Sequence, residues 1–383
     1  MVAFFQLLGG LVLLVYAGDA LIRGSVSMAR RLNVSPLIIG LTIVAFGTSV
    51  PELVVGIDAV LTKVPTLALG NVVGSNIANI WLVIGLPAVV APMLCPAHRL
   101  SQNMIAMLLA TVGFIAMAFT GEFTAIKGMV LLAGLLMILF FFARKDKKSA
   151  SYQEILGKMK GVPEKPDSFR ISALIILGGL VGLGIGAHFF VAGAVDFARM
   201  MGVTEAVIGL TLVAFGTSIP ELATALAAAL RRHCDVAIGT VIGSNIFNLL
   251  GIIGISSMFG TIPVPPGFLN FDLWVMLFAS LTFVPICLYR KNISRNVGLL
   301  FCLAYITTAF YMDAVNLLAV GLEGAFDAHP VGNFADSKCR IEAPVSLADD
   351  NAFKRLQSLA RALADPDLNN NRVTRTKFRN VLF

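Results

Sequence analysis

"GLTIVAFGTSVPEL" fills residues 40–53, and "GLTLVAFGTSIPEL" fills residues 209–222, so the two differ at two apolar positions only. A second block, "LGNVVGSNIANI" (69–80), returns without a gap as "IGTVIGSNIFNL" (238–249), again 169 residues later. Between residues 24–53 and 193–222, 18 of 30 positions are identical. The chain is a duplication, and a repeat of this length has to be recognised before any single motif is read.

Each copy sits in an unusually apolar setting. Of 383 residues, 57% are hydrophobic and only 13% are charged, with a mean hydropathy of +0.85. A soluble domain carries about a quarter charged residues. Apolar runs of about 20 residues, long enough to cross a bilayer as helices, recur at 3–22, 36–60, 66–93, 101–120, 124–143, 171–192, 205–230, 236–258, 270–289 and 296–316. The expected fold is therefore an all-α integral membrane protein of ten transmembrane helices. The first run lacks a basic leader and a small-residue cleavage site, so it reads as a retained helix rather than a signal peptide.

The basic connector "RKDKKSASYQEILGKMKGVPEKPDSFR" (144–170) separates a first five-helix repeat (1–143) from a second (171–316), and a polar tail follows at 317–383. Placing the connector in the cytoplasm puts seventeen Lys and Arg residues in the loops on that side and only Lys63, Lys127 and Arg199 in the loops on the other. This is the asymmetry that the positive-inside rule describes. Both termini are then expected outside. Because five is odd, the second copy enters the membrane from the opposite face. Inverted repeats of this kind are a common build of secondary transporters, with the substrate near the midplane.

The repeated blocks carry the chemistry. Pro51 cannot donate to the carbonyl of Gly47, nor Pro220 to that of Gly216, so each helix must kink or open there and release backbone oxygens. Irregular backbone at membrane depth is tolerated only where it is buried in protein or lines a cavity. Thr48, Ser49 and Glu52 stand three and four residues apart and project to one side of a helical turn, as do Thr217, Ser218 and Glu221. Ser75 with Asn79 and Ser244 with Asn248 repeat the four-residue spacing in the next spans. Carboxylates, amide oxygens, hydroxyls and carbonyls without His or Cys form a donor set for a hard cation such as Ca2+ or Na+. Ionised carboxylates are costly in a membrane and usually mark a transport path. Two of them balance one Ca2+, two Na+ or two protons. Gly70, Gly74, Gly239 and Gly243 have the small-residue spacing that lets helices approach closely.

Other readings find less support. The basic residues lie between apolar spans rather than on one face, which removes a nucleic-acid partner. Cys95, Cys234, Cys287, Cys302 and Cys339 show no metal-site spacing and read as packing residues. Neither an HExxH motif nor a matched Ser/His pair points to an enzyme, and no cofactor is expected. Asp58, Glu205 and Asp272 lie near span ends, outside the candidate site, and Asp19 suits a snorkelling or an interhelical hydrogen-bond role. "DPDLNNNRVT" (365–374) lacks the glycine and glutamate of a calcium loop.

With GTS-x-PE followed by GSNI-x-N in each half, residues 1–316 resemble the calcium/cation antiporter superfamily, in particular bacterial sodium/calcium exchangers. The resemblance implies a ten-helix fold of two inverted-topology five-helix repeats that moves Na+ against Ca2+ by alternating access. It also implies ion ligands at Thr48, Ser49, Glu52, Ser75, Asn79, Thr217, Ser218, Glu221, Ser244 and Asn248. Some relatives carry an aspartate where this chain has Asn248, and its absence here argues against K+ dependence. Exchange of Ca2+ for H+ is the alternative transport reading, and a passive cation channel a more distant one.

Overall fold

The computed structural model describes residues 2–32, 34–93, 100–146, 168–201, 216–288 and 293–309. The first half contains α1 (Val2–Leu32) and α2 (Pro36–Ile39), a π-helical turn (Gly40–Val44), then α3 (Ala45–Thr48), α4 (Val50–Leu61), α5 (Pro65–Trp81), α6 (Gly85–Val90), α7 (Leu100–Ala118), strand β1 (Glu122–Phe123) and α8 (Ala125–Asp146). The second contains α9 (Phe169–Met200), α10 (Ile219–Leu230), α11 (Cys234–Ile246), a π-helical turn (Phe247–Ile252), α12 (Ile253–Ser256), β2 (Ile262–Pro263), a third π-helical turn (Phe268–Asp272), α13 (Leu273–Leu288) and the helix α14 at 295–309.

All ten expected windows contain helix. By length and composition, six helices among the described residues can cross a membrane, or seven if the bent pair Leu37–Thr48 and Val50–Leu61 is one span. Gln102–Ala118 and Ile219–Leu230 are apolar but shorter. Residues 205–215 of the seventh window lie outside the described residues, as do most of the connector and the whole 317–383 tail. The first and sixth helices run well past their expected ends at 22 and 192. Nothing in the sequence breaks α1 at Arg23, and it stops only near Pro36, whose ring disfavours helix in the preceding residue. Charged residues end an apolar window but do not end a helix.

The duplication is repeated in the backbone. α4 and α10 start and end at equivalent residues, 169 apart, and each leads through a left-handed residue, Lys63 (φ 65°) or Arg232 (φ 60°), into the next helix. A positive φ is uncommon for residues other than glycine, so its recurrence at one repeat position is informative. Equivalent helices also pack together. A Cβ added to Gly10 of α1 would lie 2.5 Å from the Phe190 nitrogen of α9, one on Gly24 3.0 Å from Ile176, and one on Gly193 2.6 Å from the Leu7 nitrogen. The start of α1 therefore meets the end of α9, and the repeats are antiparallel along this contact.

Two short backbone pairings tie the halves together. Met93 bridges Ile293, and β1 pairs with β2 through Phe123 and Ile262. Met93 and Ile262 are repeat equivalents, and each meets the segment before the fifth helix of the other half. The loops paired in this way are those that the charge pattern assigns to the same face.

Burial is inverted relative to a soluble protein. Glu52, Glu221, Thr48, Ser244, Asn79 and Asn248 are buried, whereas Leu136, Met137, Phe140 and Phe141 of α8 stand exposed. Of the two roles open to Asp19 the structure shows the interhelical one: its carboxylate accepts from Arg231 Nε across to the end of α10 and from Arg23 at 3.1 Å within α1. Both partners of the Asp19–Arg231 pair remain partly exposed, so the pair is partly screened, and Asp19→Asn is expected to cost at most about 1 kcal/mol. Thermal unfolding in detergent measures that loss. Of the cysteines, Cys302 is free and buried, as a packing residue should be. Cys234 departs from that reading, because it is disulfide-bonded.

Candidate functional site

The helix through the first motif breaks where the proline requires it. Ser49 has φ −84° and ψ 5°, outside helical geometry, and the segments on either side of it meet at 42°. Ser218 repeats the conformation, with φ −85° and ψ 2°. Pro51 and Pro220 thereby fall in the first turns of α4 and α10, where a missing N–H is not a loss. Glu52 and Glu221 fall in the same first turns. A carboxylate is favoured there by the positive end of the helix dipole.

The two breaks meet. Ser49 Oγ donates to Glu221 Oε1 at 3.3 Å, across 172 residues of sequence. Thr48 and Ser244 lie beside the same carboxylate, and Thr217 lies beside Glu52. The spacing along each motif places its hydroxyls and its glutamate on one side of a helical turn. Yet the hydroxyls of Thr48, Ser49 and Thr217 lie by the carboxylate of the opposite repeat, and Ser244 alone serves the glutamate of its own copy.

The remaining expected residues are also interior. Ser75, Asn79, Ser218, Ser244 and Asn248 are buried, and Thr217 is half-buried. Thr48 Oγ1 is within 3.3 Å of the Ala45 carbonyl, and Thr217 Oγ1 within 3.4 Å of Asn71 Oδ1. Glu52 Oε2, Glu221 Oε2, Asn79 Oδ1 and both amide atoms of Asn248 have no hydrogen-bond partner among the described residues. Buried polar groups are normally satisfied, so this concentration of unpaired oxygens around two carboxylates suits a bound cation and its water. Groups of three or more His, Cys, Asp or Glu side chains placed to hold a metal are absent among the described residues. Oxygen donors without His or Cys suit a hard cation rather than a transition metal.

Asn248 lies in a π-helical turn, Phe247–Ile252, whereas its equivalent Asn79 lies in the regular helix α5. Such turns are frequent at functional sites. Three asparagines not among the expected ligands also belong here. Asn79 Nδ2 donates to Asn245 Oδ1 at 3.0 Å, Asn245 Nδ2 to the Asn76 carbonyl at 3.4 Å, and Asn71 meets Thr217. Asn76 and Asn245 could have been singled out as the polar third residue of each GSN. Asn71 could not, because its repeat equivalent is Thr240.

The close approach expected of the glycines holds for one pair. A Cβ on Gly239 would lie 2.6 Å from the Leu37 carbonyl oxygen, and one on Gly243 2.4 Å from that of Leu41, so α11 runs against α2 and the turn that follows it. The repeat-equivalent partners of Gly70 and Gly74, at 206 and 210, lie outside the described residues.

The profile of the family described as "Sodium/calcium exchanger protein" matches residues 2–144 and 171–312, once in each half. The chain belongs to the sodium/calcium exchanger family. That family consists of exchangers rather than enzymes, and its members are integral membrane proteins. An uncharacterised membrane protein of Methanocaldococcus jannaschii is 37% identical over 80% of this chain and 95% of its own length. The sodium/calcium exchanger MaX1 of Methanosarcina acetivorans is 32% identical over 81% of this chain and 99% of its own. Among solved structures, the sodium-calcium exchanger NCX_Mj soaked with Na+ and Ca2+ aligns with a TM-score of 0.68 at 34% identity, covering 80% of this chain and 97% of that one. The helical fold and the antiporter family are thereby those expected from the motifs.

Proposed function

We propose that this exchanger binds Ca2+ and Na+ in turn between Glu52 and Glu221 and carries them in opposite directions across the membrane. The observation that carries the reading is the 3.3 Å contact of Ser49 with Glu221, which draws the two acids from opposite repeats into one buried site. Thr48, Ser49, Ser75, Asn79, Thr217, Ser218, Ser244 and Asn248 supply the neutral oxygens. Two negative charges match one Ca2+ or two Na+, so the ions compete for one place, as exchange requires.

The ten windows would all cross the membrane, with the 144–170 connector in the cytoplasm and both termini outside. The pairing of Met93 with Ile293 and of Phe123 with Ile262 supports this, since each joins loops of like predicted side. Alternating access would come from α1 and α9 moving together along the core. Their mutual contact is close and glycine-rich, and Leu180 and Val191 of α9 pack against Gly47 and Gly216 beside the two breaks. A shift of α9 would therefore be felt at both motifs.

Purified protein in liposomes tests the counter-ion. Uptake of radiolabelled Ca2+ is expected when internal Na+ exceeds external Na+, and it should vanish when the Na+ gradient is collapsed. Uptake that follows a pH gradient and ignores Na+ would replace this reading with Ca2+/H+ exchange. Unitary currents without counter-transport would indicate a channel.

A further inference from the structure

We propose that Asn245 is a positioning residue that decides which atom of the Asn79 amide faces the ion; the proposal rests on reading Asn79 as a ligand. The argument starts at a backbone carbonyl. The Asn76 oxygen can only accept, so Asn245, 3.4 Å away, must turn its Nδ2 towards it. That leaves Asn245 Oδ1 on the other side, where it accepts from Asn79 Nδ2 at 3.0 Å. Asn79 Oδ1 is then the atom left over, buried and without a partner among the described residues.

The sequence of donors has one polarity because its first member carries no proton. The side chain of Asn76 cannot reverse it, since its Nδ2 is held by the Val72 carbonyl at 2.7 Å. An amide presents a cation either with an oxygen, which binds it, or with an NH2, which repels it. Left unheld, Asn79 could present either. The relay also spans the repeats: Asn76 and Asn79 lie on α5, and Asn245 lies on α11 directly after Ser244, the neighbour of Glu221.

The arrangement is not symmetric. The repeat equivalent of the Asn79–Asn245 bond would join Asn248 to Asn76. Asn76 is engaged within its own helix, and neither amide atom of Asn248 has a partner among the described residues. The chain therefore orients one of the two equivalent amides and leaves the other to its ligand.

A double-mutant cycle on Na+-driven Ca2+ uptake tests this. Asn245→Leu is expected to raise the Ca2+ concentration for half-maximal uptake about tenfold, as loss of one oriented ligand to a charged group would. In an Asn79→Asp background both terminal atoms are oxygens, no orienting is needed, and the fixed Asn245 Oδ1 faces an acceptor, so adding Asn245→Leu should leave that concentration unchanged or lower it. An equal rise in both backgrounds would mean that Asn245 merely supports the fold, and would overturn the proposal. If Asn245→Leu lowers the folded yield, Asn245→Ala removes the relay without adding volume. If Asn79→Asp is transport-dead, the same cycle is read from the Ca2+-induced rise in unfolding temperature in detergent. Asn79→Ala separates the two readings: wild-type Ca2+ dependence there removes Asn79 as a ligand, whatever Asn245 does.

Discussion

Glu52→Gln and Glu221→Gln should each depress Na+-driven Ca2+ uptake at least about a hundredfold while leaving insertion and folding intact. Glutamine keeps the shape and one oxygen but removes half of the charge that neutralises a divalent ion. At about 4 Å and an effective dielectric near 20, one unit charge pair is worth about 4 kcal/mol. Even half of that is more than a tenfold change in binding, and a divalent ion doubles the interaction. Folding should not suffer, because an ionised carboxylate at the centre of a membrane is itself opposed by roughly 2.5–3.5 kcal/mol on insertion scales. The measurement is uptake in liposomes alongside size-exclusion behaviour of the same preparations. Wild-type exchange by both variants would place the ion elsewhere.

Gly243→Ala is expected to have the second large effect, by a steric route. Its Cβ would stand 2.4 Å from the Leu41 carbonyl oxygen and 2.6 Å from Ala45 Cβ. The first of these is a backbone atom that no rotamer can move. The helices must separate, and overpacking of this kind typically costs 1–3 kcal/mol. The separation falls on the segment that leads into Thr48 and Ser49 and on the helix that carries Ser244, so the two halves of the site are pushed apart. Ca2+ uptake should fall at least about tenfold, with a lower unfolding temperature. Gly178→Ala, whose Cβ would meet nothing within 4 Å among the described residues, is the control expected to behave as wild type.

Much of the fold was legible because its signals are local. Each apolar window needs only its own residues to be recognised, and the two copies of GTS-x-PE announce themselves without tertiary information. Proline at 51 and 220 was enough to forecast the breaks at Ser49 and Ser218. Helix ends were less legible: α1 runs past Arg23 to Leu32, because a helix leaving the membrane need not stop at its first charged residue.

The candidate site was legible as an inventory and not as a set of contacts. Glu52 and Glu221 were conspicuous as acids in apolar surroundings. Asn71, Asn76 and Asn245 were not, since a polar residue in a helix gives no sign of which neighbour it will meet. Asn71 is the clearest case, because its contact with Thr217 has a threonine, Thr240, at the equivalent place in the other half.

The amino-acid order alone determined that the chain is duplicated, that an odd number of spans turns the second copy over, and that oxygen donors of the hard-cation type recur at fixed spacing. Those facts depend on periodicity and parity along a single chain. Only the packed structure decided that Ser49 would meet Glu221 rather than Glu52, and that Asn79 would lean on Asn245. Such pairings join residues more than 160 positions apart, and they arise from how closely glycine-faced helices approach and how each break turns its side chains, which no local pattern encodes.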